Sequence, residues 1–297
     1  MALTPTPCPK HVCKAATARG GALVLSLALL LAACTTTPRV AAPVAPAEVG
    51  EIWPGYGVLK GYLARTDLPD SLGLLPAPPQ EGSAAFEADK AGFAELTAFQ
   101  ATPRGALAAR DAASAYPASL ERFSCALGLT VTQAETPHLA MLMRRTQGDA
   151  ILAPYAAKDR YKRIRPFAFF KAPSCVPADE ALLATDGSYP SGHASVGWAW
   201  ALVLSEVAPD RSDALLQRGR AYAQSRAICG VHWKSDIEAG RLVGAATVAR
   251  LHADPVFMAQ RDAARSEVAA LRKQGGKPAV DCAAEAAALA PTAGIAP

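Results

Sequence analysis

The sequence predicts an all-α fold built as a single compact helical domain, and three observations carry that expectation. Apolar residues recur at three- and four-residue spacing along most of the chain. Almost no stretch alternates apolar with polar residues, and hairpin turn signals are lacking. There is neither a Gly-x-Gly-x-x-Gly nor a P-loop pattern to mark a parallel sheet. With 297 residues, 51% of them apolar and 19% charged, the chain is long enough for one sizeable core and too apolar to be disordered. The net charge of +4, with no Lys/Arg-rich block, argues against a nucleic-acid-binding surface.

Residues 1–33 read as a signal peptide rather than as part of the fold. Lys10, Lys14 and Arg19 precede an apolar run from Gly21 to Ala33, too short for a comfortable membrane span. The run closes on Leu31-Ala32-Ala33-Cys34, which resembles the lipobox of bacterial lipoproteins. That resemblance implies a lipidated Cys34 as first mature residue. Because Thr35 rather than Asp follows, it implies a periplasmic protein anchored to the outer membrane. Residues 34–67 are then the lipidated cysteine and a flexible Thr/Pro/Ala-rich tether. The helical domain is expected over 68–273. Its first clear helix spans about 83–100, where Phe86, Ala91, Phe93 and Leu96 recur at roughly helical spacing. Further helices are expected near 105–115, 118–127, 136–147, 149–163, 192–207, 211–228, 234–253 and 256–272. Thr136 reads as an N-cap, with Pro137 at the first helical position. Residues 274–297 form an Ala/Pro/Gly-rich tail, expected to be poorly ordered except where Cys282 pins it.

Cys8 and Cys13 leave with the signal and Cys34 takes lipid, so Cys125, Cys175, Cys229 and Cys282 remain. An even number in an oxidising compartment favours two disulfides, with three connectivities open. No Cys-x-x-Cys pair or His-Glu-x-x-His motif exists, and no metal ligand set or other cofactor is expected.

Three segments hold the chemistry. The first is Lys158-x6-Arg165-Pro166, whose seven-residue spacing would place both cations on one helix face. The second is Pro190-Ser191-Gly192-His193, just ahead of an apolar helix. Free backbone N–H groups there can receive an anion, and Ser191 adds a hydroxyl. The third is Ser225-Arg226-x5-His232-x3-Asp236, in which the carboxylate can fix the imidazole tautomer from one turn away. Lys158, Arg165 and Arg226 together match the charge of a phosphoryl group. His232 and His193 supply a nucleophile and a general acid. The bland alternative for the first segment is that Lys158 and Arg165, with Arg160, Lys162 and Arg163 between them, form a solvated basic face.

These segments resemble the signature of the type 2 phosphatidic acid phosphatase superfamily at all eleven specified positions. The flanks RIRPFAFF, GSYPSGH, QSRAICG and HWKSD are similar to those of the bacterial class A non-specific acid phosphatases, from roughly Leu75 to Phe257. The resemblance implies metal-independent hydrolysis of small phosphate monoesters through a phosphohistidine. In that scheme His232 is the nucleophile, Asp236 orients it, and His193 is the acid. Lys158, Arg165, Ser191, Gly192 and Arg226 would hold the phosphoryl oxygens. One departure is Ala194, where those enzymes usually carry Thr. No nucleic-acid binding is expected beyond nucleotides as substrates, the membrane is expected only through the lipid, and a homo-oligomer is left open. The competing readings are a vanadium haloperoxidase-like enzyme, a lipid or diphosphate phosphatase, and a non-catalytic phosphate-binding lipoprotein.

Overall fold

The computed structural model describes residues 40–295, so the signal segment and the Cys34 box lie outside the described residues. Among the described residues there is no β-strand, only one isolated bridge between Glu51 and Leu59. The α-helices of five residues or more are α1 (Ala84–Thr97), α2 (Pro103–Ala112), α3 (Pro137–Leu152), α4 (Tyr155–Tyr161) and α5 (Pro166–Phe170). They continue with α6 (Gly192–Val207), α7 (Ser212–Ile228), α8 (Lys234–Leu251), α9 (Pro255–Lys273) and α10 (Cys282–Leu289). The expected all-α class is what the structure has.

Helix α6 is apolar on nearly every side, the pattern of a helix buried all round. It is the axis of the fold, packed by α3, α7, α8 and α9. Trp200 of α6 is fully buried and donates its indole N–H to the Met143 carbonyl on α3 at 2.8 Å, so its one polar atom is satisfied. Two glycines set the α6–α8 crossing. A Cβ on Gly240 would run into the Ser191 carbonyl, and one on Gly244 into that of Ser195. Their absence lets α8 ride directly on the first turns of α6. The Ser191 N–H can then donate to the Asp236 carbonyl at 2.9 Å. This close approach joins two of the three sequence segments.

Several expected boundaries shift, for physical reasons. The helices expected at 136–147 and 149–163 divide instead at Ala153-Pro154, since Pro154 lacks an N–H and disfavours helix just before it. Thr136 holds the N-cap position, yet its hydroxyl bonds within its own turn, to Thr132. The carboxylate of Glu267 on α9 caps α3 instead, accepting the N–H groups of His138 and Leu139 at 2.9 Å each. The segment 118–127 is a 3-10 turn (Ala118–Phe123) followed by one α-turn (Ser124–Leu127).

The tether expected to reach residue 67 is also shorter. Leu59 is buried, Tyr62 packs edge-on against Phe257, and Asp149 accepts the N–H groups of Tyr62 and Leu63 at 2.8 and 3.1 Å. The tail expected to be loose carries α10, which packs on α2. Its Thr292 hydroxyl accepts from Arg104 Nε at 3.0 Å. Cys125 pairs with Cys282 (Cα–Cα 5.4 Å) and Cys175 with Cys229 (4.6 Å), which selects one of the three open connectivities.

Candidate active site

Lys158 and Arg165 come together by a route other than the one their spacing suggested. Helix α4 stops at Tyr161 because Lys162 adopts a left-handed conformation (φ 42°). The chain then turns, and Arg165 becomes the residue capping α5, with Pro166 at its first position. Both cations end on one acid that the sequence had not singled out. Asp186 Oδ2 lies 3.2 Å from Lys158 Nζ and 2.8 Å from Arg165 Nη2. Arg165 Nη1 also donates to the Val231 carbonyl at 2.9 Å and sits 3.0 Å from His232 Nε2. Burial, followed by repulsion from Arg165, pulls the Lys158 ammonium down to about 8.

Ser191 is the N-cap of α6, and its Oγ accepts the Ala194 N–H at 3.3 Å. The first-turn N–H groups of Gly192 and His193 have no intrahelical partner, so they remain for an anion. Arg226, in the last turn of α7, is almost completely buried, and its Nε and Nη1 have no hydrogen-bond partner. His193 is half-buried, with Nε2 3.1 Å from the Ala112 carbonyl and its ring stacked near Tyr222.

His232 precedes α8 rather than lying on it. Trp233 is the N-cap, and Asp236 at the third helical position turns back to accept the Trp233 N–H at 2.9 Å. The same oxygen, Oδ2, lies 3.3 Å from His232 Nδ1. The pairing therefore comes from a helix-capping turn, not from two residues on one helical face. A proton on Nδ1 directed at this carboxylate leaves Nε2 unprotonated, with its lone pair towards Arg165 Nη1, which can only donate.

Behind Asp236 stands a brace that the sequence left unread. Arg163 donates to Asp236 Oδ1 at 2.6 Å and to Asp89 Oδ2 at 2.7 Å, and Asp89 also accepts from Ser235. Arg163 is thus a mostly buried bridge and not a solvated face. Asp89 comes from α1, and only long-range folding places it there.

Burial, then the charge of Arg165, holds the His232 imidazole well below the usual histidine range. Burial, then Arg226, does the same to His193. Burial and the neighbouring cations thus disfavour the charged form of both rings, whereas the two tasks read from sequence require a cationic His193. An entering phosphate supplies the negative charge that favours its protonation.

The eight residues singled out for catalysis and phosphate binding thus lie close together, with Asp186 bridging Lys158 and Arg165, and Arg163 and Asp89 holding Asp236. The pattern of the PAP2 superfamily matches residues 140–257, the stretch from Lys158 to Asp236 included. The non-specific acid phosphatase of Providencia stuartii is 44% identical over 213 residues, covering 71% of this chain and 86% of that protein. The chain belongs to the PAP2 superfamily. The acid phosphatase of Zymomonas mobilis is 37% identical over 212 residues, 70% of this chain and 79% of that protein. The non-specific acid phosphatase of Salmonella typhi is 40% identical over 195 residues, 65% and 78% respectively. The resemblance read from three short motifs therefore extends over most of the domain. Asp89 lies outside the superfamily match, on a helix the three motifs do not include.

Proposed function

We propose that this chain is an exported acid phosphatase that hydrolyses small phosphate monoesters through a phosphohistidine at residue 232. The observation that carries this reading is Arg226. A buried guanidinium with two unpaired N–H groups costs roughly 1–3 kcal/mol per unsatisfied group unless an anion completes it. That anion would sit between Arg226, Arg165, Lys158 and the α6 N-terminus, within reach of His232 Nε2.

In this reading the Nε2 lone pair attacks phosphorus while the bond to the leaving oxygen breaks. His193 gives its proton to that oxygen. Water then attacks phosphorus, the P–N bond breaks, and His193 takes a proton from the water. The negative charge on the equatorial oxygens is met by the three cations and the N–H groups of Gly192 and His193. Asp236 keeps the Nδ1 proton in place and stabilises the charge that develops on the ring.

The two disulfides and the signal segment support export, and the Leu31–Cys34 box supports a lipid anchor at the periplasmic side of the outer membrane. Among the described residues no helix is long and apolar enough to cross a membrane. Hydrolysis of p-nitrophenyl phosphate by the purified protein, with EDTA present and at several pH values, tests the reading. Activity that survives chelation is expected, because three fixed cations supply the charge that metal ions supply elsewhere. Complete and reversible loss with EDTA, or no hydrolysis at all, contradicts it.

A further inference from the structure

Asp186 is paired with two of the three cations proposed to hold the phosphoryl group. Its Oδ2 bridges Lys158 Nζ and Arg165 Nη2, at 3.2 and 2.8 Å, as one oxygen of an oxyanion would. The backbone adds to the contact: Arg165 Nε donates to the Asp186 carbonyl at 3.0 Å, and Lys158 donates to the Gly187 carbonyl. The cations are fixed and dry, with side chains 5% and 3% exposed, while the Asp186 side chain is 34% exposed. Of the three groups, only the carboxylate has solvent to move into. The Tyr155 phenol is a further titratable neighbour, which the Asp186 charge pushes towards its neutral form after burial has done so, and His232 and Asp236 face the same two cations from the other side. Arg226, the third cation, has no carboxylate of this kind within bonding distance.

A pocket of three buried cations is costly when empty, because each loses its hydration and they repel one another. One resident carboxylate lowers that cost. The same carboxylate must then compete with whatever anion enters.

We propose that Asp186 is an intramolecular stand-in for phosphate, held by Lys158 and Arg165 in the empty pocket. It gives up or shares those cations when an oxyanion binds, and so weakens retention of the inorganic phosphate product. This rests on the phosphatase reading above. The opposite role, in which Asp186 merely holds the two cations in position, predicts the opposite sign on its removal.

The test is calorimetric titration of inorganic phosphate into the purified wild type and the Asp186→Asn variant, at one mildly acidic pH and low ionic strength. The stand-in role predicts a phosphate Kd tighter by roughly two- to fivefold in the variant, the range set by a part-exposed ion pair. The inhibition constant of phosphate against p-nitrophenyl phosphate should tighten in parallel. A Kd that is unchanged or weaker overturns the proposal. Circular dichroism checks folding, and Asp186→Ser serves as the second variant with the same readout. Wild-type turnover of p-nitrophenyl phosphate reports separately on the phosphatase reading, so the two failures are distinguishable.

Discussion

Arg163 links two buried carboxylates, Asp89 and Asp236, and through the second it reaches the imidazole of His232. Removing it would leave two buried carboxylates without their cationic partner, which costs about 3–5 kcal/mol for a broken buried pair. The milder Asp89→Asn change keeps the shape and weakens the brace. It should lower kcat for p-nitrophenyl phosphate with little change in KM, and Asp236→Asn should lower kcat by roughly a hundredfold or more. A purely structural role for Asp89 would show as lost thermal stability with kcat intact. The histidines make a second prediction, with a definite sign. Both are shifted downward in the empty pocket, so a proton on His193 becomes available only as pH falls below the ordinary histidine value of 6.5. Lys158 loses its charge as pH rises through about 8. Both effects make kcat/KM climb as pH falls from the alkaline side. In His193→Ala, assayed with a p-nitrophenolate leaving group that needs little protonation, the rise below 6.5 should flatten while the loss above about 8 remains. A slope unchanged in that variant would count against His193 as the acid. Sequence spacing exposed the residues proposed to hold the phosphate. It could not expose Asp186, Asp89 or Arg163, because their partners are brought to them by turns and by a helix distant in the chain.

The α6–α8 crossing turns those residues into a pocket. Gly240 sits against the carbonyl of Ser191, the N-cap of the helix whose first turn holds Gly192 and His193. Gly240→Val should push α8 away, lengthen the Ser191–Asp236 contact and cost about 1–3 kcal/mol by overpacking. Thermal unfolding would register this as a fall of roughly 2–4 °C per kcal/mol. Activity should drop by more than the stability loss explains, since His232 and the anion cradle move apart. A variant with normal kcat/KM would show that the crossing is only structural. At this scale the sequence was informative about helix faces and poor on helix ends. The apolar run of α6 could be read directly from composition. The caps of α3 and α8 could not, because Glu267 and Asp236 supply them through the tertiary fold and through a turn respectively.

Taken as a whole, the described chain is a helical body tied at both ends. Asp149 holds the N-terminal strap at Tyr62 and Leu63, and the Cys125–Cys282 bond holds α10 against the domain. Composition suggested looseness at both ends because Ala, Pro and Gly carry little periodic signal, and because Asp149 and Cys125 are far away in sequence. The proposed lipid anchor can be tested separately from the pocket. Cys34→Ser should move activity from the membrane fraction to the soluble fraction with kcat and KM unchanged, and unaltered membrane association would count against lipidation. The phosphoenzyme is the most direct test of the mechanism itself. Protein mixed with a radiolabelled phosphate monoester, acid-quenched under conditions that preserve phosphoramidates and then mapped by peptide analysis, should carry label on His232 alone. No label should form in His232→Ala, whereas His193→Ala should still be labelled by p-nitrophenyl phosphate. Label on His193, or an active wild type with no phosphohistidine at any residue, would contradict the account.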